Sequence, residues 1–299
     1  MSRHFRDTVT VDITSVDDLF DLFKDMSSSN SYNGYRGHED TSWSLQSSLW
    51  RFIKSIDSTF GGSDKYEEVS ESLIENYKQN MLIHSDLTLN DIKEMDIWQY
   101  AQHYDLPTPL LDWTYSPYIA LFFAVRQPQI KRGEKDTRCV WVLDYATLDT
   151  INSTVEDEIQ KDENTSFVTD DGSPDFENTA EYYPILALSG EVSGKNRRLY
   201  YQQGFFTQPG KLASIEVWLD RISQEFKRPL IDKLLLTKFE FECTESTRLE
   251  ILTKLELMNI NYKTLFPDGF GSAKDAVART YMSYMRPRSW SISFSAEKD

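Results

Sequence analysis

The pattern of apolar and polar positions predicts short β-strands at several places in the chain. The clearest is residues 138–145, RCVWVLDY, whose side chains alternate between two faces. Three later stretches are also predicted strands, because Gly, Pro or charged residues bound their apolar runs: 184–190, 198–208 and 233–241. Residues 9–13, VTVDI, predict one more strand near the start of the chain.

Apolar residues at helical spacing predict helices alongside these strands. Residues 64–83 and residues 246–260 both repeat apolar side chains every three or four positions. Ser15 is the predicted N-cap of an earlier helix. This mixture predicts an α+β fold, a single mixed domain with a central, largely antiparallel sheet flanked by helices.

The main domain is predicted to span residues 30–275. A strand–helix addition at residues 1–29 precedes it, and a C-terminal helix and tail at residues 276–299 follow it. Residues from about 152–181 are acidic and poor in apolar side chains, so they bury too little apolar surface to offset the entropy cost of ordering. We therefore expect an exposed insertion there.

The stretch 101–125, AQHYDLPTPLLDWTYSPYIALFFAV, places Asp112, Thr114 and Ser116 inside an apolar run. Residues 110–111 predict a short buried strand, and the Ser-Pro pair that follows predicts a helix with Ser116 as its N-cap. Because the helix is apolar nearly all the way round, most of its surface should be packed. Its N-terminus should then face an enclosed space suited to a phosphate or carboxylate.

The charge balance restricts the partners of the protein. The chain has 32 Lys and Arg against 48 Asp and Glu, a formal net charge of −16. This charge repels a polyanion, so we expect no bulk binding of nucleic acid. A small anionic ligand is compatible with it, since a pocket needs only one or two well-placed arginines.

Three further features exclude common classes of protein. No apolar run is long enough to span a bilayer or to act as a signal peptide, so a cytoplasmic protein without membrane association is expected. The four histidines lack metal-ligand spacing, and Cys139 and Cys243 are interpreted as buried free thiols, so no metal site is predicted. The chain also lacks a glycine-rich phosphate loop, a nucleophile elbow and a zinc-binding helix motif.

Candidate binding residues cluster first at positions 35–38, Tyr-Arg-Gly-His. The planar guanidinium of Arg36 suits a phosphate or carboxylate, and Gly37 permits close approach of a ligand or an unusual backbone angle. The alternative for Arg36 is a surface ion pair. For Asp112 the alternative is a structural carboxylate, and for Ser116 it is simple helix capping.

Gln202 and Gln203 place uncharged polar groups inside the predicted strand 198–208. Neighbouring residues on a strand point to opposite faces, so at most one of the two glutamines can share a site with Arg36. We predict that Arg36, Asp112 and one of these glutamines converge on one pocket, because buried polar groups need partners.

Four segments together resemble the FRG domain, a family named for a Phe/Tyr-Arg-Gly tripeptide near its start. They are YRGHEDTSWSLQSSLWR, AQHYDLPTPLLDWTYSPYIALFFAV, YYQQGFF and TLFPDGFGSA. The resemblance extends over roughly residues 30–275, with Tyr in place of Phe at position 35. It implies a bacterial or phage-related cytosolic protein associated with phage defence or toxin functions, and it does not supply a well-established reaction.

The order of these segments is also similar to that in ADP-ribosyltransferases. Those enzymes grip NAD with a polar residue and a glycine on an early strand, follow with a strand that turns into a helix bearing Ser or Thr, and end with an acidic or polar residue on another strand. The similarity implies an ADP-ribosyltransferase-like architecture that uses NAD as substrate without a metal. The implied site consists of catalytic Asp112 and Gln203, with Arg36, Gly37, His38, His103, Thr114 and Ser116 binding NAD.

The alternative function is a non-catalytic sensor module that binds a small anionic ligand or a protein partner in the same pocket. The two hypotheses differ in whether a carboxylate reaches Arg36. Asp112 or a late glutamate such as Glu240 in the pocket would favour catalysis, because a cationic ribose must be stabilised. A pocket with only glutamines would favour binding.

Overall fold

The structure is a computed structural model of the chain. It describes residues 6–11, 15–28, 33–56, 64–84, 94–128, 136–160, 186–189, 197–208, 214–225 and 234–285. Within these residues the strands are β1 (Arg6–Val11), β2 (Asn33–His38), β3 (Leu111–Thr114), β4 (Asp136–Asp144), β5 (Leu186–Ser189), β6 (Gly204–Gln208) and β7 (Leu236–Cys243). The helices are α1 (Val16–Ser28), α2 (Ser48–Ile56), α3 (Asp64–His84), α4 (Glu94–Ala101), α5 (Pro117–Val125), α6 (Tyr145–Gln160), α7 (Arg197–Tyr201), α8 (Ile215–Glu225), α9 (Glu245–Leu257), α10 (Tyr262–Leu265) and α11 (Gly269–Met285).

The described strands form one sheet in the order β1-β7-β4-β2-β3-β6-β5. The edge strand β1 runs parallel to β7, and every other neighbouring pair is antiparallel. The predicted α+β class, with a mixed and largely antiparallel sheet flanked by helices, is therefore confirmed.

Strand β4 separates two hydrophobic cores, one on each face of the sheet. Val140 and Val142 pack in a core that also contains residues of α1, α5, α9 and α10. Cys139, Trp141 and Leu143 pack in a second core with residues of α6 and α8. The alternation read from the sequence of this strand is thus confirmed, because successive strand side chains point to opposite faces.

Helix α5 lies inside the first core and begins as the sequence predicts. The Ser116 hydroxyl accepts a hydrogen bond from the Ile119 backbone N–H at 3.4 Å, and Pro117 occupies the first turn. At the other end, buried Arg138 donates to the carbonyls of Ala124 and Gln127, both at 3.0 Å. A cation at this end stabilises the exposed carbonyls of the last turn.

The sheet nearly divides between β2 and β3. These strands share one registered pair, Tyr35 opposite Thr114, whereas β2 pairs with β4 over its full length from Asn33 to His38. Beyond Tyr35 the two strands separate, so the β1-β7-β4-β2 and β3-β6-β5 halves of the sheet leave a cleft between them.

The prediction of a strand over residues 198–208 is wrong in its first half. Residues Arg197–Tyr201 form helix α7, Gln202 and Gln203 form a turn, and strand β6 begins only at Gly204. Gln203 has a φ of 47°, in the left-handed region. The pair of glutamines is thus held in a turn that leads into β6, and the argument from strand alternation does not apply to it.

Part of the predicted acidic insertion is helical. Helix α6 continues to Gln160, so residues 152–160 belong to it. The remainder of the segment, residues 161–181, lies outside the described residues.

Candidate functional site

A pocket of about 820 Å³ lies where β2 and β3 separate. Arg36 on β2, Asp112 on β3 and Gln202 in the turn before β6 all line it. Ala120 and Phe123 of α5 and Arg51 of α2 complete parts of its wall. The structure thus brings together three polar side chains that are far apart in the sequence.

The Arg36 guanidinium bridges the two separating strands. Its Nη1 donates to the backbone carbonyl of Asp112 at 2.7 Å and lies 3.6 Å from the Asp112 carboxylate Oδ2. Its Nε donates to His38 Nε2 at 3.1 Å. Burial lowers the pKa of Arg36, while the charge of Asp112 raises it. The side chain therefore joins β2 to β3 and lines the pocket, and a guanidinium has five N–H donors, more than these contacts use.

His38 is a neutral support for Arg36. It is only 5% exposed, and burial followed by the charge of Arg36 lowers its pKa to about 3. Because Nε2 accepts from Arg36, the proton lies on Nδ1, which faces the Trp43 carbonyl at 3.3 Å. His38 thus orients the arginine and a loop of the pocket, and it carries no charge at neutral pH.

We expect His38 to make the fold more sensitive to acid. An unfolded histidine has a pKa of about 6.5, so between about pH 3 and 6.5 the unfolded chain binds more protons at this position than the folded protein. Stability should fall as pH decreases through this window, by about 2 kcal/mol between pH 7 and pH 5. Urea unfolding of the wild type and of His38→Gln at both pH values measures the effect. An equal loss in both proteins would contradict it.

Asp112 carries a carboxylate that is 55% exposed and is held in place by a short chain of hydrogen bonds. Gln102 Nε2 donates to Asp112 Oδ1 at 2.6 Å, and Thr108 Oγ1 donates to Gln102 Oε1 at 2.7 Å. A fixed, accessible carboxylate beside an arginine suits the stabilisation of a positive charge in a bound molecule. Glu240, the other carboxylate considered, is not in the pocket lining and pairs with Lys238 at 2.7 Å.

Thr114 and Ser116 use their side chains within the protein. Thr114 Oγ1 donates to the Gln202 carbonyl at 2.7 Å and accepts from the Ser116 N–H at 3.1 Å. The Ser116 hydroxyl caps α5, and Ser116 is not among the residues that line the pocket. These two side chains therefore join β3, α5 and the turn before β6.

Gly37 provides close approach, but to a helix. A Cβ at this position would lie 1.9 Å from the Ala120 carbonyl oxygen and 2.6 Å from the Ala124 backbone nitrogen. The missing side chain lets α5 pack directly against β2. Gly37 also lines the pocket, and only its Cβ direction is occupied by the backbone of α5.

Gln202 and Gln203 have different environments. Gln202 lines the pocket, and its amide donates to the Leu265 carbonyl at 3.1 Å. Gln203 is exposed, is absent from the pocket lining, and accepts from the Tyr115 N–H through its backbone carbonyl. His103 also lines the pocket, and its carbonyl accepts from Arg198 at 2.9 Å.

Several residues of this pocket are not indicated by any pattern in the sequence. Trp43, Arg51, Arg126 and Arg198 line it as well. Trp43 and Arg51 lie within the first of the segments that resemble the FRG domain, but nothing in their spacing relates them to Arg36. Their convergence depends on how α2 and the loop before it pack over the cleft.

Two further results concern the described residues as a whole. Among them, no helix is both long and apolar enough to cross a lipid bilayer. No group of three or more His, Cys, Asp or Glu in these residues is arranged to hold a metal ion.

Comparison with known proteins gives one match. A family model described as FRG domain matches residues 31–133, about a third of the chain. No curated protein and no solved structure matches the chain. The matched segment contains Arg36, Arg51 and Asp112 and ends before the turn that holds Gln202.

Proposed function

Because the chain carries an FRG domain at residues 31–133, we propose that this domain supplies the central part of an NAD-using, ADP-ribosyltransferase-like enzyme. The observation that carries the proposal is the pairing of Arg36 and Asp112 across the cleft between β2 and β3. This places an arginine and an accessible carboxylate in one pocket of about 820 Å³. Ligand pockets in proteins typically have volumes of about 300–1,000 Å³.

The proposed reaction breaks the bond between the nicotinamide nitrogen and C1′ of ribose. The bonding electron pair leaves with nicotinamide, whose ring becomes neutral, and C1′ acquires positive charge in an oxocarbenium-like transition state. The oxygen of water, or a nucleophilic atom of a target molecule, then bonds to C1′ and loses its proton to solvent. Water as nucleophile gives free ADP-ribose, and a protein side chain gives ADP-ribosylated protein.

Asp112 is the group proposed to stabilise the cationic ribose. Its carboxylate is exposed toward the pocket while Gln102 and Arg36 restrict its position. A preorganised charge of this kind lowers the energy of the transition state because it does not have to reorient during the reaction. Of the two residues implied to be catalytic, Asp112 and Gln203, only Asp112 carries a charge and lines the pocket.

The other residues predicted for the site have more limited roles in this proposal. Arg36 is proposed to bind a phosphate oxygen of NAD through its remaining donors, and His38 to keep the guanidinium in place. Thr114 and Ser116 act as scaffold, since their hydroxyls are used inside the protein. Gln203 has no part in this proposal because it does not line the pocket.

One observation favours the alternative, a binding module without catalysis. Both oxygens of Asp112 already have partners, Gln102 at 2.6 Å and Arg36 at 3.6 Å. These contacts reduce the negative charge that the carboxylate offers to a cationic ribose. The same pocket would then recognise an anionic ligand without breaking a bond.

We expect the purified protein to release nicotinamide from NAD, with a cell lysate present as a source of target molecules. Chromatography measures nicotinamide, and labelled NAD identifies modified proteins. Isothermal titration with NAD is run beside the turnover assay. Binding without release of nicotinamide would support the sensor module, and absence of both would contradict the proposed use of NAD.

A further inference from the structure

Arg51 is the pocket arginine whose charge is least compensated. Arg126 lies 3.0 Å from Glu39, and Arg198 lies 2.6 Å from Asp268. Arg36 has Asp112 at 3.6 Å. Among the described residues no carboxylate lies within ion-pair distance of Arg51, whose Nη1 donates to the Gln46 carbonyl at 2.6 Å.

Arg36 and Arg51 place two positive charges in the same pocket. Both side chains line the same pocket, Arg36 from β2 and Arg51 from α2. The positive charge of Arg51 also lowers the pKa of Arg36, after the larger effect of burial. Two like charges that disfavour one another in one cavity are stabilised when an anion binds to both.

Trp43 adds an aromatic surface to this part of the pocket. The side chain is 51% exposed although it lines the cavity, and its ring centroid lies 6.0 Å from that of His38. The Trp43 carbonyl is also the partner of His38 Nδ1. An exposed indole whose backbone is held in place is suited to stack against a flat ring of a ligand.

From these contacts we propose that Arg36 and Arg51 together bind a diphosphate group, while Trp43 stacks on the base attached to it. The ligand class is therefore a nucleoside diphosphate, either free or as part of a dinucleotide. The inference rests on the proposed function in that it assigns the ligand contacts of the same pocket. Arg36 and Arg51 each retain guanidinium N–H groups for the two phosphates, beyond those used in the bonds to Asp112, His38 and Gln46.

Three acidic residues of the pocket oppose the binding of an anion, but each of them is paired or screened. Glu39, Asp105 and Asp112 also line it. Glu39 is paired with Arg126, and Asp112 is tied to Gln102 and Arg36. Asp105 is exposed to solvent, which screens its repulsion of a phosphate.

The test compares ADP, inorganic pyrophosphate and adenosine by isothermal titration with the full chain. Arg51→Gln should weaken ADP and pyrophosphate binding by about tenfold or more, because a charge-assisted contact is lost. Trp43→Leu should weaken ADP binding but leave pyrophosphate binding unchanged. Lys54→Gln removes an exposed cation from the same helix and should bind ADP like the wild type.

The outcomes separate this inference from the enzymatic proposal. If NAD is turned over but Arg51→Gln binds ADP and pyrophosphate like the wild type, the diphosphate site is wrong and the enzyme proposal stands. If NAD is not turned over but ADP binding depends on both Arg51 and Trp43, the diphosphate site is supported and the proposed enzymatic activity is contradicted. Equal weakening in Arg51→Gln and Lys54→Gln would show a general charge effect and contradict the site. Thermal melting confirms that each variant is folded.

Discussion

Replacement of Gly37 by alanine should destabilise the protein by about 3 kcal/mol, a large effect for the addition of one methyl group. The new Cβ would lie 1.9 Å from the Ala120 carbonyl oxygen and 2.6 Å from the Ala124 nitrogen. Both are backbone atoms of a buried helix, so no side-chain rotation relieves the overlap. Strand β2 is paired with β4 along its whole length and cannot easily move away.

Urea or thermal unfolding measures this loss, and Gly269→Ala is its matched control. A Cβ at Gly269, the first residue of α11, would have no atom within 4 Å. The control should change stability by less than about 0.5 kcal/mol. If Gly37→Ala unfolds like the control, the close packing of α5 against β2 is not as described.

Asp112→Asn should lower the rate of nicotinamide release by about 100-fold, if the proposed reaction takes place. Asparagine has the same shape as aspartate, and its carbonyl oxygen can still accept the hydrogen bond from Gln102. What is lost is the negative charge beside the cationic ribose. NAD affinity should change much less than the rate, because the positive charge at C1′ develops mainly in the transition state.

Asp105→Asn provides the comparison in the same pocket. Asp105 also lines the cavity and has a φ of 59°, a conformation that asparagine tolerates. Among the described residues the Asp105 carboxylate makes no contact with Arg36 or Gln102. The Asp105→Asn variant should therefore release nicotinamide at a rate close to that of the wild type. Steady-state kinetics and titration with NAD measure both variants. Full activity of Asp112→Asn would exclude the proposed role of its charge.

Several elements of the candidate site could be predicted because their causes are local. The Ser-Pro pair at positions 116 and 117 specifies the start of α5, since a hydroxyl cap and a proline act within one turn. Asp112 interrupts an apolar run and Arg36 offers a planar set of donors for an anion, and both line the pocket, although the Asp112 carboxylate is 55% exposed rather than buried.

Other features of the site depended on distant parts of the chain. Gly37 indicates close approach, but the sequence does not reveal that the approaching group is the backbone of α5. Gln202 and Gln203 lie between apolar residues that suit a strand. In the structure they form a turn between α7 and β6, in which Gln203 has a left-handed backbone conformation. Local propensity was outweighed by the hydrogen bonds of Thr114 and Tyr115 to the carbonyls of that turn.

Local sequence patterns were enough to predict the α+β class, the two faces of β4 and the cap of α5, because periodicity and capping act between neighbouring residues. Tertiary structure alone decided the cleft between β2 and β3, which follows from a pairing limited to Tyr35 and Thr114. It also decided that Arg51 and Trp43 join Arg36 in one pocket. The physical reason is that strand pairing and helix packing join residues far apart in the chain, and no local pattern records which distant surfaces will meet.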